Sequence, residues 1–238
     1  MKTKASPSNK TKLATYVAAE LELLGDPRKA LEMAAYMKTT MPFYGVQKPD
    51  RIPIIRHLKL QYKPIDLKQY KANISSLWLQ PHREEKYIAI NYAELFPEYI
   101  NEDSIPLYER MIREGAWWDF VDAISTNLVG EAYLKELDTL RPVMEKWSQD
   151  RDMWIRRASI LSHLHHKKDT DHEFLFNLCA KLAHEKEFFI QKGIGWALRE
   201  YSKTNPKAVK KFLRENKSNL APLSYREAAK HMLRSGDM

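Results

Sequence analysis

The sequence predicts an all-α protein, a superhelical solenoid built from pairs of antiparallel helices. Three observations lead to this fold class. Only seven of the 238 residues are glycine and no Asn-Gly or Asp-Gly hairpin signal occurs, so strands are not expected. Apolar residues recur at i, i+3 and i+4 over long stretches, which is typical of helices. The helical patterns also repeat with a period of about 35 residues, the length of a two-helix unit.

Proline and glycine divide the chain into about a dozen short helical patterns. Proline is favoured in the first turn of a helix, where its missing N–H would have no partner. The predicted breaks, each of which precedes or opens a helix, are Gly25-Asp26-Pro27, Lys48-Pro49, Lys63-Pro64, Gln80-Pro81, Phe96-Pro97, Ile105-Pro106, Arg141-Pro142, Asn205-Pro206 and Ala221-Pro222.

The repeat is clearest when the segment MWIRRASIL is aligned with FFIQKGIGW, 35 residues further on. Arg157 is then aligned with Lys192. The same offset of 35 residues, counted back from Arg157, reaches Asp122, and counted forward from Lys192 it reaches Glu227. Equivalent positions of stacked two-helix units, as in HEAT-type arrays, lie along one face. We therefore expect Asp122, Arg157 and Lys192 to be neighbours in a concave basic groove that contains a single acid.

The charge balance favours a polyanionic partner. Lys and Arg total 39 against 31 for Asp and Glu, a net charge of +8, which suits nucleic acid or an anionic membrane surface. No apolar run approaches the ~20 residues of a spanning helix, and the N-terminus lacks the apolar stretch of a signal peptide. We expect a soluble, cytoplasmic, monomeric protein with no membrane partner.

Residues 1–12, MKTKASPSNKTK, are predicted to form a basic flexible tail, and residues 13–238 a single domain. The one cysteine, Cys179, lies in the apolar run FLFNLCAKLA. A disulfide within the chain is therefore impossible, and a structural zinc site would lack its usual thiolates. We interpret Cys179 as a buried residue.

The segment WWDFVD places an indole and a carboxylate four residues apart, at Trp118 and Asp122. On a helix these two side chains lie on one face and can reach a common point. Asp119 is predicted to be the N-cap, whereas Asp122 lies deeper, where aspartate is a poor helix former. Either a function favours Asp122 there, or it forms a structural salt bridge to Arg157.

A second indole, Trp196, lies on a predicted helix face together with Lys192, Arg199 and Lys203. Indole and basic side chains together suit nucleic acid, because rings pack on sugars or bases while Lys and Arg meet phosphates. The alternative is that Trp196 only fills a seam between helices. The GIG segment before it lowers helix stability unless another chain segment approaches closely.

Other clusters carry weaker signals. The segment HLHHKKDTDH contains potential metal ligands, but its KKDTD part is interpreted as a solvated loop between helices, so no metal is expected. Trp78, Trp147 and Trp154 lie in apolar helical patterns and are predicted to be core residues. Tyr36, in MAAYMK, fits either the groove or the core.

The segments WWDFVD, WIRRA and EFFIQKGIGWALREYSKTNP closely resemble the AlkD family of HEAT-like-repeat DNA glycosylases, and the resemblance extends over residues 12–235. This family excises positively charged alkylated purines such as 7-methylguanine and 3-methyladenine. The resemblance implies that Asp122 is the catalytic aspartate, and that Trp118 and Trp196 stack at the site. It places Arg157 in the groove.

AAYMK is similar to the family segment whose tyrosine approaches the DNA, which here is Tyr36. Two departures from the family pattern could alter the shape of the groove: Gly193 stands where alanine is expected, and Phe120 where a smaller residue is usual.

The resemblance implies a monofunctional DNA repair glycosylase that hydrolyses the N-glycosidic bond of cationic N3- and N7-alkylated purines in double-stranded DNA. It implies no cofactor and no flipping of the base. The expected DNA-binding residues are Arg157, Lys192, Tyr36, Arg199 and Lys203. Two other classes remain open: a DNA-binding relative without glycosylase activity, and a protein-binding helical scaffold.

Overall fold

A computed structural model of the protein describes residues 11–236. Over this range the chain forms fourteen α-helices and no β-strand, which confirms the all-α fold class. The chain divides into two compact units, one ending at Tyr99 and the other beginning at Ile100, and the single domain expected over residues 13–238 stays a prediction. No helix within residues 11–236 combines the length and the apolar character needed to cross a membrane.

The first unit contains five α-helices: α1 (Lys12–Leu23), α2 (Pro27–Met37), α3 (Lys48–Gln61), α4 (Leu67–Trp78) and α5 (Arg83–Glu94). The helix pair α4 and α5 packs closely, and α1 contacts α3, α4 and α5. Residues 1–10 of the tail predicted at 1–12 lie outside the described residues. Its last two residues are ordered at the start of α1: Thr11 is the N-cap, whose side chain accepts from the Ala14 N–H, and Lys12 is the first helical residue.

The second unit contains nine α-helices over its described residues. They are α6 (Ile105–Gly115), α7 (Trp118–Ala123), α8 (Gly130–Lys135), α9 (Leu137–Trp147), α10 (Met153–Leu161), α11 (His172–Lys181), α12 (Phe188–Ser202), α13 (Pro206–Glu215) and α14 (Pro222–Ser235). A π-helical segment, Ile124–Val129, joins α7 to α8.

The predicted 35-residue period is confirmed in the second unit. Helices α7, α10 and α12 begin at Trp118, Met153 and Phe188, which are spaced 35 residues apart. Each of the three contacts the next, and α12 also packs along α14. The period therefore places residues of equal repeat position side by side, as solenoid stacking requires.

One predicted helix boundary is wrong. Pro142 lies inside α9 and does not open a new helix. The proline lacks an N–H for the Asp138 carbonyl, but both residues are exposed, so water can satisfy that oxygen. Leu140, Met144 and Trp147 are buried along the other side and keep the helix packed.

The core predictions for the isolated aromatic residues are confirmed. Trp78, Trp147 and Trp154 are all buried. Cys179 is fully buried in the apolar cluster that α10 to α14 share, and burial raises the pKa of its thiol well above the usual value. The thiol is therefore a packing group.

Candidate active site

Asp122 lies at the end of α7 and is held by two hydrogen bonds from one arginine. Arg157 Nε donates to Oδ1 at 2.7 Å and Nη2 donates to Oδ2 at 2.8 Å. The Asp122 side chain keeps 16% exposure. A carboxylate has about four lone-pair positions, so this pairing leaves about two that can accept from water or a ligand. Burial raises the pKa of Asp122, and the hydrogen bonds from Arg157 oppose that rise.

Arg157 is itself only 4% exposed, and its third nitrogen, Nη1, donates to the carbonyl oxygen of Phe189. All three nitrogens of the guanidinium are thus engaged within the protein. The DNA-binding role of Arg157 stays a prediction. The structural salt bridge that the spacing also allowed is present, and Arg157 orients the carboxylate.

The two tryptophans of WWDFVD have different environments. Trp117 precedes α7, and its ring packs against Trp154 at 6.1 Å and Phe189 at 5.7 Å between centroids. Trp118 is the first residue of α7 and borders the same pocket as Asp122. The N-cap prediction for Asp119 is wrong, because Trp117 holds that position and Asp119 lies in the first turn.

The π-helical segment begins two residues after Asp122. Thr126 Oγ1 donates to the Asp122 carbonyl at 2.8 Å, and Ser125 Oγ donates to the Val121 carbonyl at 2.5 Å. Hydroxyl groups that bond back to the preceding turn compete with regular helical bonding. A π-helical turn changes the direction of the helix, and such turns occur frequently at functional sites.

Two glycines of α12 face the charged groups of the site. A Cβ at Gly193 would lie 3.1 Å from Arg157 Nη1. A Cβ at Gly195 would overlap the Cβ of Glu227 and come within 2.9 Å of the Ser224 carbonyl oxygen. The close approach that the GIG segment predicted is therefore present on both sides, from Arg157 and from α14.

Asp122 opens into a pocket of about 310 Å³ that lies within the second unit. The remaining lining residues are Trp118, Arg157, Phe188, Phe189, Lys192, Trp196, Arg199 and Glu227. Both predicted tryptophans thus share one pocket with the predicted acid. Trp196 is partly buried and also packs against the apolar core, as the seam interpretation expected, and its role in nucleic-acid binding stays a prediction.

The pocket contains a second acid that the sequence analysis did not assign to the site. Glu227, on α14, accepts from Lys192 at 3.0 Å, from Arg199 at 2.6 Å and from Lys230. Its burial alone would raise its pKa, but hydrogen bonds from Lys230, Lys192 and Arg199 outweigh this and lower the pKa to about 2. Glu227 is therefore ionised at neutral pH.

Two other residues were predicted to bind DNA, Lys203 in the second unit and Tyr36 in the first. Lys203 pairs with Glu200 at 2.7 Å and borders a different pocket, lined partly by His163 and Thr170. Tyr36 lies on α2 in the first unit and is 74% exposed, so it is not a core residue. Its DNA-binding role stays a prediction.

The histidine-rich segment at the end of α10 forms a buried polar cluster. The Tyr133 ring lies 5.0 Å from that of His163 and 5.7 Å from that of His166. Burial lowers the pKa of His163 to about 3, so the imidazole is neutral. Over residues 11–236 no group of three or more His, Cys, Asp or Glu side chains is arranged to hold a metal.

The two departures from the family pattern have different consequences. Phe120 is fully buried in α7 and does not line the pocket. Gly193 lies directly beside Arg157, where a larger residue would press on the guanidinium. Phe188 lines the pocket and is 55% exposed. The sequence analysis used it only in the alignment of the repeats and did not assign it to the site.

The pocket combines a buried acid, two indoles and basic side chains, a set of groups that suits a nucleic-acid ligand. Residues 17–232 match the family described as DNA alkylation repair enzyme. The chain therefore belongs to this family. Its membership supports a role in DNA repair and DNA as the substrate.

Solved structures similar to this chain include two bacterial proteins. A predicted DNA alkylation repair enzyme from Enterococcus faecalis shares 30% sequence identity, with a TM-score of 0.79 over 87% of this chain and 96% of that protein. The protein smu.31 from Streptococcus mutans has the same fold, with 18% identity and a TM-score of 0.61 over 92% of this chain and 98% of that protein. No curated protein gave a significant match.

The close packing at Gly195 predicts that Gly195→Ala destabilises the protein. Helix propensity alone would stabilise it by about 1 kcal/mol. The added methyl group, however, must displace Glu227 and the backbone at Ser224, and such overpacking typically costs about 1–3 kcal/mol. Urea unfolding of both proteins measures the difference. A variant more stable than wild type would contradict the packing between α12 and α14.

Proposed function

We propose that this protein is a DNA glycosylase that hydrolyses the N-glycosidic bond of cationic N3- and N7-alkylated purines in double-stranded DNA. The observation that carries the proposal is the Asp122 carboxylate, held by Arg157 in a pocket that two indoles and the cations Lys192 and Arg199 also line. The resemblance to the AlkD family and membership in the DNA alkylation repair family support the same activity.

The chemistry requires one negative charge beside the sugar. A purine alkylated at N3 or N7 already carries a positive charge, so the bond from its nitrogen to C1′ can break with the base leaving as a neutral molecule. The deoxyribose then becomes oxocarbenium-like. Asp122 stabilises that cation electrostatically in a partly desolvated site, and water attacks C1′ while its proton passes to the carboxylate.

The indoles of Trp118 and Trp196 border the same pocket and can meet the cationic sugar. An aromatic face attracts a cation by about 0.5–2 kcal/mol, depending on how far water is excluded. This attraction grows as positive charge develops on the sugar, so it contributes more in the transition state than in the ground state. The tryptophans therefore assist the same step as Asp122.

Glycoside hydrolases normally protonate the leaving group with a second carboxyl group. The pocket does contain a second carboxyl group, on Glu227, although the sequence analysis expected none. With a pKa of about 2, Glu227 holds no proton at neutral pH and cannot act as that acid. The pocket is therefore suited to leaving groups that need no protonation.

The first test compares substrates. The protein is expected to release 7-methylguanine and 3-methyladenine from duplex DNA but not uracil or hypoxanthine, which are neutral bases and need help to leave. The DNA strand should stay intact until alkali is added, because no lysine is assigned as a Schiff-base nucleophile. Chromatography of the released bases and gels run before and after alkali measure both outcomes.

Each alternative class gives a different result in that experiment. A DNA-binding relative without activity would bind the duplex and release no base. A protein-binding scaffold would not bind duplex DNA at all. Efficient uracil release, or strand breaks that borohydride traps, would contradict the mechanism assigned to Asp122.

A second prediction concerns Asp122→Asn, which keeps the shape of the side chain and removes its charge. Excision of 7-methylguanine should fall by about 10²- to 10³-fold, as on loss of one charge-stabilising group, while duplex affinity changes little. Asp138→Asn, an exposed acid on α9, is the matched control and should excise at the wild-type rate. More than half of wild-type excision in Asp122→Asn would exclude the assignment.

A third prediction concerns the pH dependence that Arg157 imposes. Excision requires the ionised carboxylate, so the rate should fall as pH drops through the pKa of Asp122, which burial already raises. Arg157→Met removes the opposing hydrogen bonds, raises that pKa further and moves the acidic limb of the profile to higher pH. Single-turnover rates from acidic to neutral pH measure the limb.

Arg156→Met is the matched control for this profile. Arg156 is the adjacent residue on the same helix and pairs with Glu185 outside the pocket. Loss of its charge should leave the acidic limb where wild type has it. Identical profiles for wild type and Arg157→Met would show that Arg157 does not tune the carboxylate.

A further inference from the structure

Glu227 lies at the inner end of a cluster of three cations, which we name the cation cluster: Lys192, Arg199 and Lys230. The Glu227 side chain is 9% exposed, whereas those of Lys192, Arg199 and Lys230 are 37%, 27% and 49% exposed. The acid is thus covered and the cations face outward. The surface that solvent meets here is positive.

Neutralising one buried carboxylate requires one partner, and here there are three. Oε1 accepts from Lys192 and from Lys230, and Oε2 accepts from Arg199 at 2.6 Å. The cluster with its acid keeps two excess positive charges in a small volume. All three side chains have long flexible stems, and one carboxylate bonds to all of them.

The sequence maintains this arrangement at a cost. Gly195 weakens the middle of α12, and its missing side chain is what admits Glu227 to the helix surface. Lys192 precedes Gly195 on α12 and Arg199 follows it. The close approach at Gly195 therefore sets how near the Glu227 carboxylate lies to both cations. The packing of α14 on α12 and the convergence of the cations are therefore one feature.

We infer that Glu227 is a positioning residue that gathers Lys192, Arg199 and Lys230 into a binding site for a backbone phosphate of the DNA strand. The inference rests on the proposed function for its substrate class. A phosphate carries negative oxygens that match converging Lys and Arg donors. Asp122 lines the same pocket as Lys192 and Arg199, so a phosphate held there would set the position of the neighbouring sugar.

The direction in which DNA affinity changes on one mutation separates this role from simple charge neutralisation. Glu227→Gln makes the pocket more positive by one charge. If Glu227 only neutralises its neighbours, the variant protein should therefore bind duplex DNA more tightly than wild type. If Glu227 positions the cations, the variant must order two or three long side chains on binding, and it loses affinity despite the added charge.

The experiment measures the affinity of each protein for a short undamaged duplex over a range of salt concentrations. The control is Glu200→Gln, which has the same change of charge on α12 and releases only Lys203. We expect Glu227→Gln to bind about tenfold more weakly than Glu200→Gln. Equal or tighter binding by Glu227→Gln would overturn the inference.

A second pair of variants decides the question if Glu227→Gln does not fold. Lys230→Met removes the most exposed member of the cation cluster, and Lys207→Met removes an exposed charge on α13. Only Lys230→Met should lower the slope of log affinity against log salt by about one unit, because one phosphate contact is lost. Equal slopes for the two variants would exclude Lys230 from phosphate binding.

Failure of the proposed function gives a separate result. If wild type releases no base from alkylated DNA but the affinity differences hold, the cation cluster binds a phosphate in a protein with another activity. If wild type excises bases and the differences are absent, Glu227 has only a packing role and the inference is wrong.

Discussion

The pair of hydrogen bonds between Arg157 and Asp122 is the interaction on which the rest of the site depends. It joins α7 to α10, and the third contact of the same guanidinium, to the Phe189 carbonyl, adds α12. One arginine thus connects three successive repeats. Breaking a buried pair leaves an uncompensated charge and typically costs about 3–5 kcal/mol, so the geometry of the carboxylate is strongly fixed.

The backbone around this pair is irregular where the side chains need space. The π-helical segment begins just beyond Asp122, and Gly130 follows it where a Cβ would lie 2.6 Å from the Ser162 carbonyl oxygen. On α12, Gly193 makes room for Arg157. These irregularities lower the local stability of the helices around the site, and the packing of the repeats on either side offsets that loss.

Much of this arrangement could be predicted from the sequence, because residues one repeat apart in sequence lie side by side in a solenoid. The 35-residue offset predicted that Asp122 and Arg157 are neighbours, and it also reached Glu227. Glu227 was nevertheless not assigned to the site, since the offset alone does not tell which acid faces the pocket. The placement of Lys203 followed a helix-face argument that ignored the nearby Glu200, with which it pairs.

The features that escaped prediction depend on contacts between helices rather than on any single helix. Three such features lie around the contacts of α7 with α10 and α12: the π-helical segment, the N-cap position of Trp117 and the exposed ring of Phe188. Their common consequence is a division of charge. The negative carboxylate of Asp122 is retracted beside the indoles, while Glu227 is covered by cations that face solvent. A ligand that is positive at its sugar and negative at its phosphate is complementary to both halves, and this is the charge pattern of a nucleotide losing a cationic base.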